Sequence, residues 1–380
     1  NPFLCEQHHA WREQLRRFLD SEVMPHAADW DEAGEVPWEL HRKAADLGLF
    51  GFGIDEAYGG LGFDDCFMRA SASEALGMCG ATGVGAALGA RNKSTGPIAA
   101  LGSEDLRRTV LPLVLSGEVG SSLAITEPSG GSDVANLQTT ARRDGNEWVL
   151  NGTKTFITGG MSSRYFVIGA RTGGPGLTGI SLFFVEADTP GFTRTALERK
   201  MGWWCSDQAT LYFDECRLPA DSLMGPEDRG FIAIMNNFNY ERLTLIAQAL
   251  GMAKLCLNES LAYARERQTF GKRLVEHQVI AHKIADMSAR LDALEAYLNH
   301  HCGLANEGPT PVAEISKAKF LSTKTLEYCA SEAMQIFGGA GYLRGNPVER
   351  VYREVKVMAI GGGSEEIMKD LAIRQMGIAG

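Results

Sequence analysis

Between Phe231 and Ala253 the run FIAIMNNFNYERLTLIAQALGMA holds only two charged residues, Glu241 and Arg242. At helical spacing the face through Glu241 carries Ile234, Asn237, Phe238, Thr244, Leu245, Gln248 and Ala249. None is a cation, so the spacing predicts a carboxylate with no charged partner on its own helix. Desolvation disfavours the charged form, which makes such a carboxylate a better proton acceptor. General-base chemistry is the functional reading, and a structural ion pair with a neighbouring segment is the other.

Further stretches could hold a ligand. LAITEPSGGSDVANLQTTA (residues 123–141) runs from an apolar strand end into hydroxyls and paired glycines. Backbone amides freed there suit a polar planar ring or an anion, and an ordinary hydroxyl-rich turn fits equally well. KTFITGG (154–160) repeats the arrangement, with Phe156 to pack on a ring and Thr158 to hydrogen-bond its edge. ARERQTFGKRLVEHQ (264–278) offers the Arg267 guanidinium and the Phe270 ring, suited to a phosphate and an adenine. QIFGGAGYLRG (335–345) adds the Gln335 amide and close backbone approach at Gly338 and Gly339. Near the C-terminus, AIGGGSEEI places Gly361 to Gly363 between two helical-looking runs, either to admit a ligand or simply as a joining loop. Taken singly, each stretch also has a purely structural reading.

The whole chain must position these groups. Its 380 residues and 41.2 kDa predict two or three domains or layers. A content of 44% hydrophobic and 22% charged residues is that of a soluble globular protein. The net charge of -10, without a basic block, argues against nucleic acid as a partner. No apolar run approaches the roughly 20 residues of a membrane span. The N-terminal NPFLCEQHHAWREQLRRFLD turns amphipathic too early for a secretory signal. Eight scattered cysteines without a Cys-x-x-Cys pair read as reduced, mostly buried thiols. That fits a bacterial cytoplasm, or a mitochondrial matrix if a leader has been removed. Adjacent His300 and His301 point about 100° apart on a helix, so HHC predicts an exposed turn and no metal site. Gly174-Pro-Gly176-Leu-Thr-Gly179 matches a dinucleotide fingerprint but lies between strand-like runs, which predicts a turn.

Residues 1–118 read as helices, including a small-residue helix from about 65 to 90 and one capped by Ser103. Residues 119–225 read as a mainly antiparallel β domain with a hairpin-type Asn151-Gly152. Residues 226–380 return to long helical patterns, predicting an antiparallel bundle.

In this order ITEPSGGSD, KTFITGG, ERQTFGKRL, QIFGGAGY and REVKVMAIGGGSEEI strongly resemble the acyl-CoA dehydrogenase flavoproteins over nearly the whole chain. The resemblance implies an α+β fold: a helical N-terminal domain, an antiparallel β middle domain and a C-terminal four-helix bundle. It implies non-covalent FAD, an acyl-CoA substrate, an electron-transfer flavoprotein as acceptor, a role in fatty acid β-oxidation and a homotetramer. By the same resemblance Leu123, Ile125, Thr126, Gly131, Ser132, Phe156 and Thr158 flank the flavin ring. Arg267, Phe270, Gln278, Gln335 and Gly339 hold the adenine-diphosphate end across a subunit boundary, and Ser364 is a further cofactor-binding residue. Ser132, Asn239, Arg242 and Gly362 meet the substrate. Many relatives have Trp where this chain has Phe156, and many carry the catalytic Glu where this chain has Gly362. Long-chain and isovaleryl-type members instead bear it at the position of Glu241, so the resemblance implies that Glu241 is the base and favours a fatty or branched acyl chain. Glu365 and Glu366 are expected to serve the dipole of the last helix. Trp203 and Trp204 could shape the pocket or pack at its surface. An acyl-CoA oxidase or flavin monooxygenase on the same fold is the alternative, and a non-catalytic CoA-ester-binding or assembly subunit is the alternative of another class.

Overall fold

The computed structural model describes residues 3–90, 93–308 and 311–378. The N-terminal part is helical: α1 (Glu6–Phe18), one π-helical turn, α2 (Ala27–Ala33), α3 (Trp38–Asp46), α4 (Cys66–Gly77), α5 (Thr82–Ala90), α6 (Thr95–Leu101) and α7 (Glu104–Leu115). Ser103 caps α7 as expected, its hydroxyl accepting from the Leu106 amide. The single small-residue helix expected over 65–90 is two helices. The chain breaks after Gly77, and Gly80 takes a left-handed φ of 78° that a helix cannot continue through.

The middle part is an eight-stranded sheet: β1 (Ser121–Ala124), β2 (Thr140–Asp144), β3 (Glu147–Thr158), β4 (Tyr165–Arg171), β5 (Ile180–Glu186), β6 (Phe192–Ala196), β7 (Gln208–Pro219) and β8 (Leu223–Met224). Its order is β6-β7-β3-β2-β4-β5-β8, with β1 beside β4. The sheet is mixed rather than purely antiparallel. The β2–β3 hairpin sends the chain back in its entering direction, so β4 pairs parallel with both β1 and β2. Asn151-Gly152 forms no hairpin turn but lies inside β3, at a register shift against β7. A Cβ on Gly152 would stand 2.6 Å from the Thr139 hydroxyl, so close packing explains this glycine. The GPGLTG stretch is the β4–β5 turn.

The C-terminal part begins with the 37-residue α8 (Gly230–Glu266). The small hairpin β9 (Gln268–Thr269) and β10 (Lys272–Arg273) leads into α9 (Gln278–Glu307), α10 (Val312–Phe337), α11 (Pro347–Ile360) and α12 (Glu365–Gln375). Helices α8 to α11 share one apolar core built on Ile246, Leu250, Leu291, Leu326 and Val351. α4 joins that core, and its backbone touches α8. Cβ atoms on Gly77 and Gly251 would meet the carbonyls of Gln248 and Glu74 at 2.4 and 2.0 Å. That contact holds α8 rigidly against the N-terminal helices. His301 and Cys302 are buried inside the bundle, not on an exposed turn, because α9 turns this face to the core and His301 packs edge-on against Tyr297. Seven cysteines are buried and Cys5 is exposed. Among the described residues no helix is long and apolar enough to cross a membrane, and no three metal-ligating side chains cluster.

Candidate active site

Glu241 lies in the first half of α8, and the three-glycine loop between α11 and α12 is packed against the neighbouring turn. A Cβ on Gly362 (φ 69°) would stand 2.4 Å from Leu245 Cδ1, one turn along from Glu241. The loop backbone is held by two cations. Arg242 Nε donates to the Gly362 carbonyl at 3.1 Å, and Lys319 Nζ donates to the carbonyls of Met358 and Gly363, each at 2.8 Å. Arg242 Nη1 donates to Asn239 Oδ1 at 2.8 Å. Burial pushes both cations down, Lys319 to about 8 despite the opposing charge of Glu365. Glu241, Asn239, Arg242 and Gly362 are therefore one cluster.

Glu241 has no charged partner on its own helix, as expected, but the ion pair with a neighbouring segment named as the other reading is present. The Lys93 ammonium, from the turn before α6, makes an ion pair with Glu241 Oε1, and both side chains are partly buried. This partner is 148 residues away along the chain, so the periodicity of α8 could not reveal it.

A second cluster forms on the sheet. The Thr155 amide donates to the Thr126 carbonyl at 2.9 Å, joining the two hydroxyl-rich stretches. Beneath them Lys154 Nζ lies 2.7 Å from Glu127 Oε1 and donates to the Ile125 carbonyl at 3.1 Å, and both charges are buried. Burial pushes Lys154 down to about 8 against the pull of Glu127. Glu127 is raised by burial, but the Lys154 charge and bonds from Thr139 and Gln138 outweigh this and hold it below the usual carboxylate range. Sequence reasoning missed this clamp. Its one visible signal was an acid in TEP and a lysine in KTF, opposite charges in the two stretches already singled out.

Above the clamp, Phe156 has a left-handed φ of 58° at a register shift of β3 and is 64% exposed. A bulky residue there is strained by about 1–3 kcal/mol, so surrounding structure must enforce it. The strain turns an aromatic face outward that a regular strand would bury. Leu123 is half-buried and Ile125 buried, while Gly131 and Ser132 are exposed on the adjoining loop. Gln208 Nε2 donates to the Thr158 hydroxyl at 3.4 Å.

A third group gathers at one end of the bundle. Arg267 ends α8, Phe270 sits in the β9–β10 turn and Gln278 opens α9. Tyr263 stacks on Phe337 with ring centres 4.3 Å apart, which ties the last turns of α8 and α10 together and brings Gln335 and Gly339 to this end. Phe270 also has a left-handed φ, 49°, and is 98% exposed. Within this one chain it presents a bare ring. Ser364 is the cap of α12, its hydroxyl accepting from the Ile367 amide at 3.4 Å, and Glu365 and Glu366 follow in the first turn. Glu365 is buried and pairs with Lys324 at 3.1 Å.

Trp203 and Trp204 pack at a junction of the three parts. Trp203 Nε1 donates to the Thr82 hydroxyl at 3.0 Å, and Trp204 lies between the Arg344 and Arg353 guanidiniums.

Three domain families match the sequence: the acyl-CoA dehydrogenase N-terminal domain over residues 5–118, the middle domain over 122–216 and the C-terminal domain over 228–377. The mitochondrial long-chain specific acyl-CoA dehydrogenase of Sus scrofa is 34% identical over 374 residues, covering 97% of this chain and 86% of its own length. The crystal structure of an acyl-CoA dehydrogenase from Geobacillus kaustophilus is 36% identical and superposes with a TM-score of 0.93 over 98% of each chain. A glutaryl-CoA dehydrogenase of Mycobacterium smegmatis, solved in complex with FADH2, is 27% identical with a TM-score of 0.93, covering 100% of this chain and 97% of its own. With its three domains matched in order and its fold shared from end to end, the chain belongs to the acyl-CoA dehydrogenase family of oxidoreductases.

Proposed function

We propose that the protein desaturates the Cα–Cβ bond of a fatty or branched-chain acyl-CoA thioester to the trans-2-enoyl-CoA, with Glu241 as the base. The observation that carries this reading is that the α8 turn bearing Glu241 meets a glycine loop with no side chain of its own, through Arg242 and through Leu245 one turn on. Glu241 takes a proton from Cα, while Arg242, Asn239, the Gly362 backbone and the Ser132 hydroxyl line the approach to it. With glycine at 362, the loop brings no second carboxylate to the pocket.

The chain's surfaces fit FAD. The outward Phe156 ring, Thr126 and Thr158 suit the flavin. The Arg267 guanidinium, the exposed Phe270 ring, Gln278, Gln335 and the open backbone at Gly339 suit the nucleotide end. Bound there, FAD supplies the acceptor for the β-hydride. Ser364, spent on its helix cap, has the weakest geometric support as a cofactor ligand. Phe270, bare in one chain, is best completed by a second copy, which agrees with a homotetramer. An electron-transfer flavoprotein is the acceptor this reading assigns, in a bacterial cytoplasm or a mitochondrial matrix.

Anaerobic titration of the holoenzyme with straight and branched acyl-CoAs of increasing length tests the proposal. The expected result is bleaching of the flavin absorbance by a subset of the panel. A flavin-loaded protein that no acyl-CoA bleaches contradicts it, and rapid oxygen consumption with substrate favours the oxidase reading.

A further inference from the structure

Lys93 is the one charged partner of the Glu241 carboxylate among the described residues, and no element of the chemistry proposed above accounts for it. The other cations near this turn are committed elsewhere. Arg242 is bound to the Gly362 carbonyl and to Asn239, and Lys319 to the carbonyls of Met358 and Gly363. Thr244 bonds the backbone carbonyl of Glu241, not its carboxylate. Along α8 the turns on either side offer Asn237, Phe238 and Leu245, none of which carries a charge.

The turn that carries Lys93 is itself firmly placed. It leads directly into α6, whose first turn lies close against α8: a Cβ on Gly96 would stand 3.0 Å from Asn237 Oδ1, one turn before Glu241. Ser94 and Thr95, beside Lys93, are buried. The ammonium therefore comes from a backbone fixed against the base's own helix. A long, partly exposed glutamate otherwise samples several rotamers, and proton abstraction demands one.

We infer that Lys93 is a positioning residue for the base, holding the Glu241 carboxylate in the orientation from which it takes the α proton. This rests on the assignment of Glu241 as base. The fixed position of the ammonium removes unproductive rotamers of the carboxylate.

The test uses flavin-loaded wild type, Lys93→Met, Lys93→Arg, Glu241→Gln and the Lys93→Met/Glu241→Gln double variant. Two readouts are followed with saturating acyl-CoA: the rate constant of anaerobic flavin reduction, and exchange of the thioester α-hydrogen with heavy water by mass spectrometry. Lys93→Met is expected to slow both about tenfold to a hundredfold, with KM changed less than about threefold. FAD content and melting temperature should stay at parental values, and Lys93→Arg should keep most of the rate. In the Glu241→Gln background Lys93→Met should change nothing further, since the group it positions is gone. A Lys93→Met enzyme at the parental rate overturns the inference while leaving Glu241 as base. So does a double variant whose losses multiply, or a Lys93→Arg enzyme as slow as Lys93→Met. A Glu241→Gln enzyme at the parental rate removes the base assignment beneath it.

Discussion

Glu241, Gly362 and Leu245 form a small set whose geometry decides how far the site can be rebuilt. Moving the carboxylate across the pocket, as Glu241→Gly with Gly362→Glu, places a side chain where φ is 69° and where its Cβ would stand 2.4 Å from Leu245 Cδ1. The left-handed backbone strains any L-residue there, but the obstructing atom is the end of a flexible side chain. The double variant should recover only a small part of flavin reduction, and adding Leu245→Ala should recover more. Stopped-flow rates of the double and triple variants check this; a triple variant slower than the double contradicts it. At this scale the sequence made Glu241 visible because the stretch 231–253 around it holds only one other charge, Arg242. It hid Lys93 and the Glu127–Lys154 clamp, because both pairings join residues far apart in the chain.

The helix that feeds the glycine loop, α11, is anchored by buried charge. Glu354 accepts from the Thr82 amide at 3.1 Å and from its hydroxyl, while Asp31 pairs with Arg350 and Arg353 at 3.4 and 3.5 Å. Burial pushes Glu354 up to about 7, with Asp31 adding to the shift and Thr82 and Arg353 opposing it. The folded protein then holds a proton here that the unfolded chain, titrating near 4.5, releases. Stability contributed by this group is therefore lost as pH rises from about 4.5 to 7, by roughly 3 kcal/mol at most. Glu354→Gln should flatten the slope of melting temperature against pH in that window; an unchanged slope contradicts the shift. Spacing alone marked most helices, and the Ser103 cap was legible. The break at Gly80 and the placement of Asn151-Gly152 inside β3 were not, since both depend on close contacts with distant segments: the α4–α8 crossing and the side chain of Thr139.

Across the whole molecule, three parts converge on the site. In the proposed reading α8 carries the base and the loop after α11 forms a side-chain-free wall beside it, while the sheet turns Phe156 outward on a buried ion pair. The order of these parts was readable because strand and helix periodicities change abruptly near residues 120 and 226. What binds the exposed end of the bundle was not, because Phe270 and Gln335 find no cover within one chain. Arg267→Ala should therefore lower FAD occupancy and loosen cofactor retention together with subunit association, without changing the helical circular dichroism. A fully loaded, active monomer in sedimentation contradicts that view. The central claim is that Glu241 abstracts the proton, and anaerobic flavin reduction in Glu241→Gln tests it most directly. The amide keeps the size of the side chain and removes the acceptor. Acyl-CoA should still bind while flavin reduction falls by about 10²–10⁴ or more; reduction at the parental rate contradicts the account.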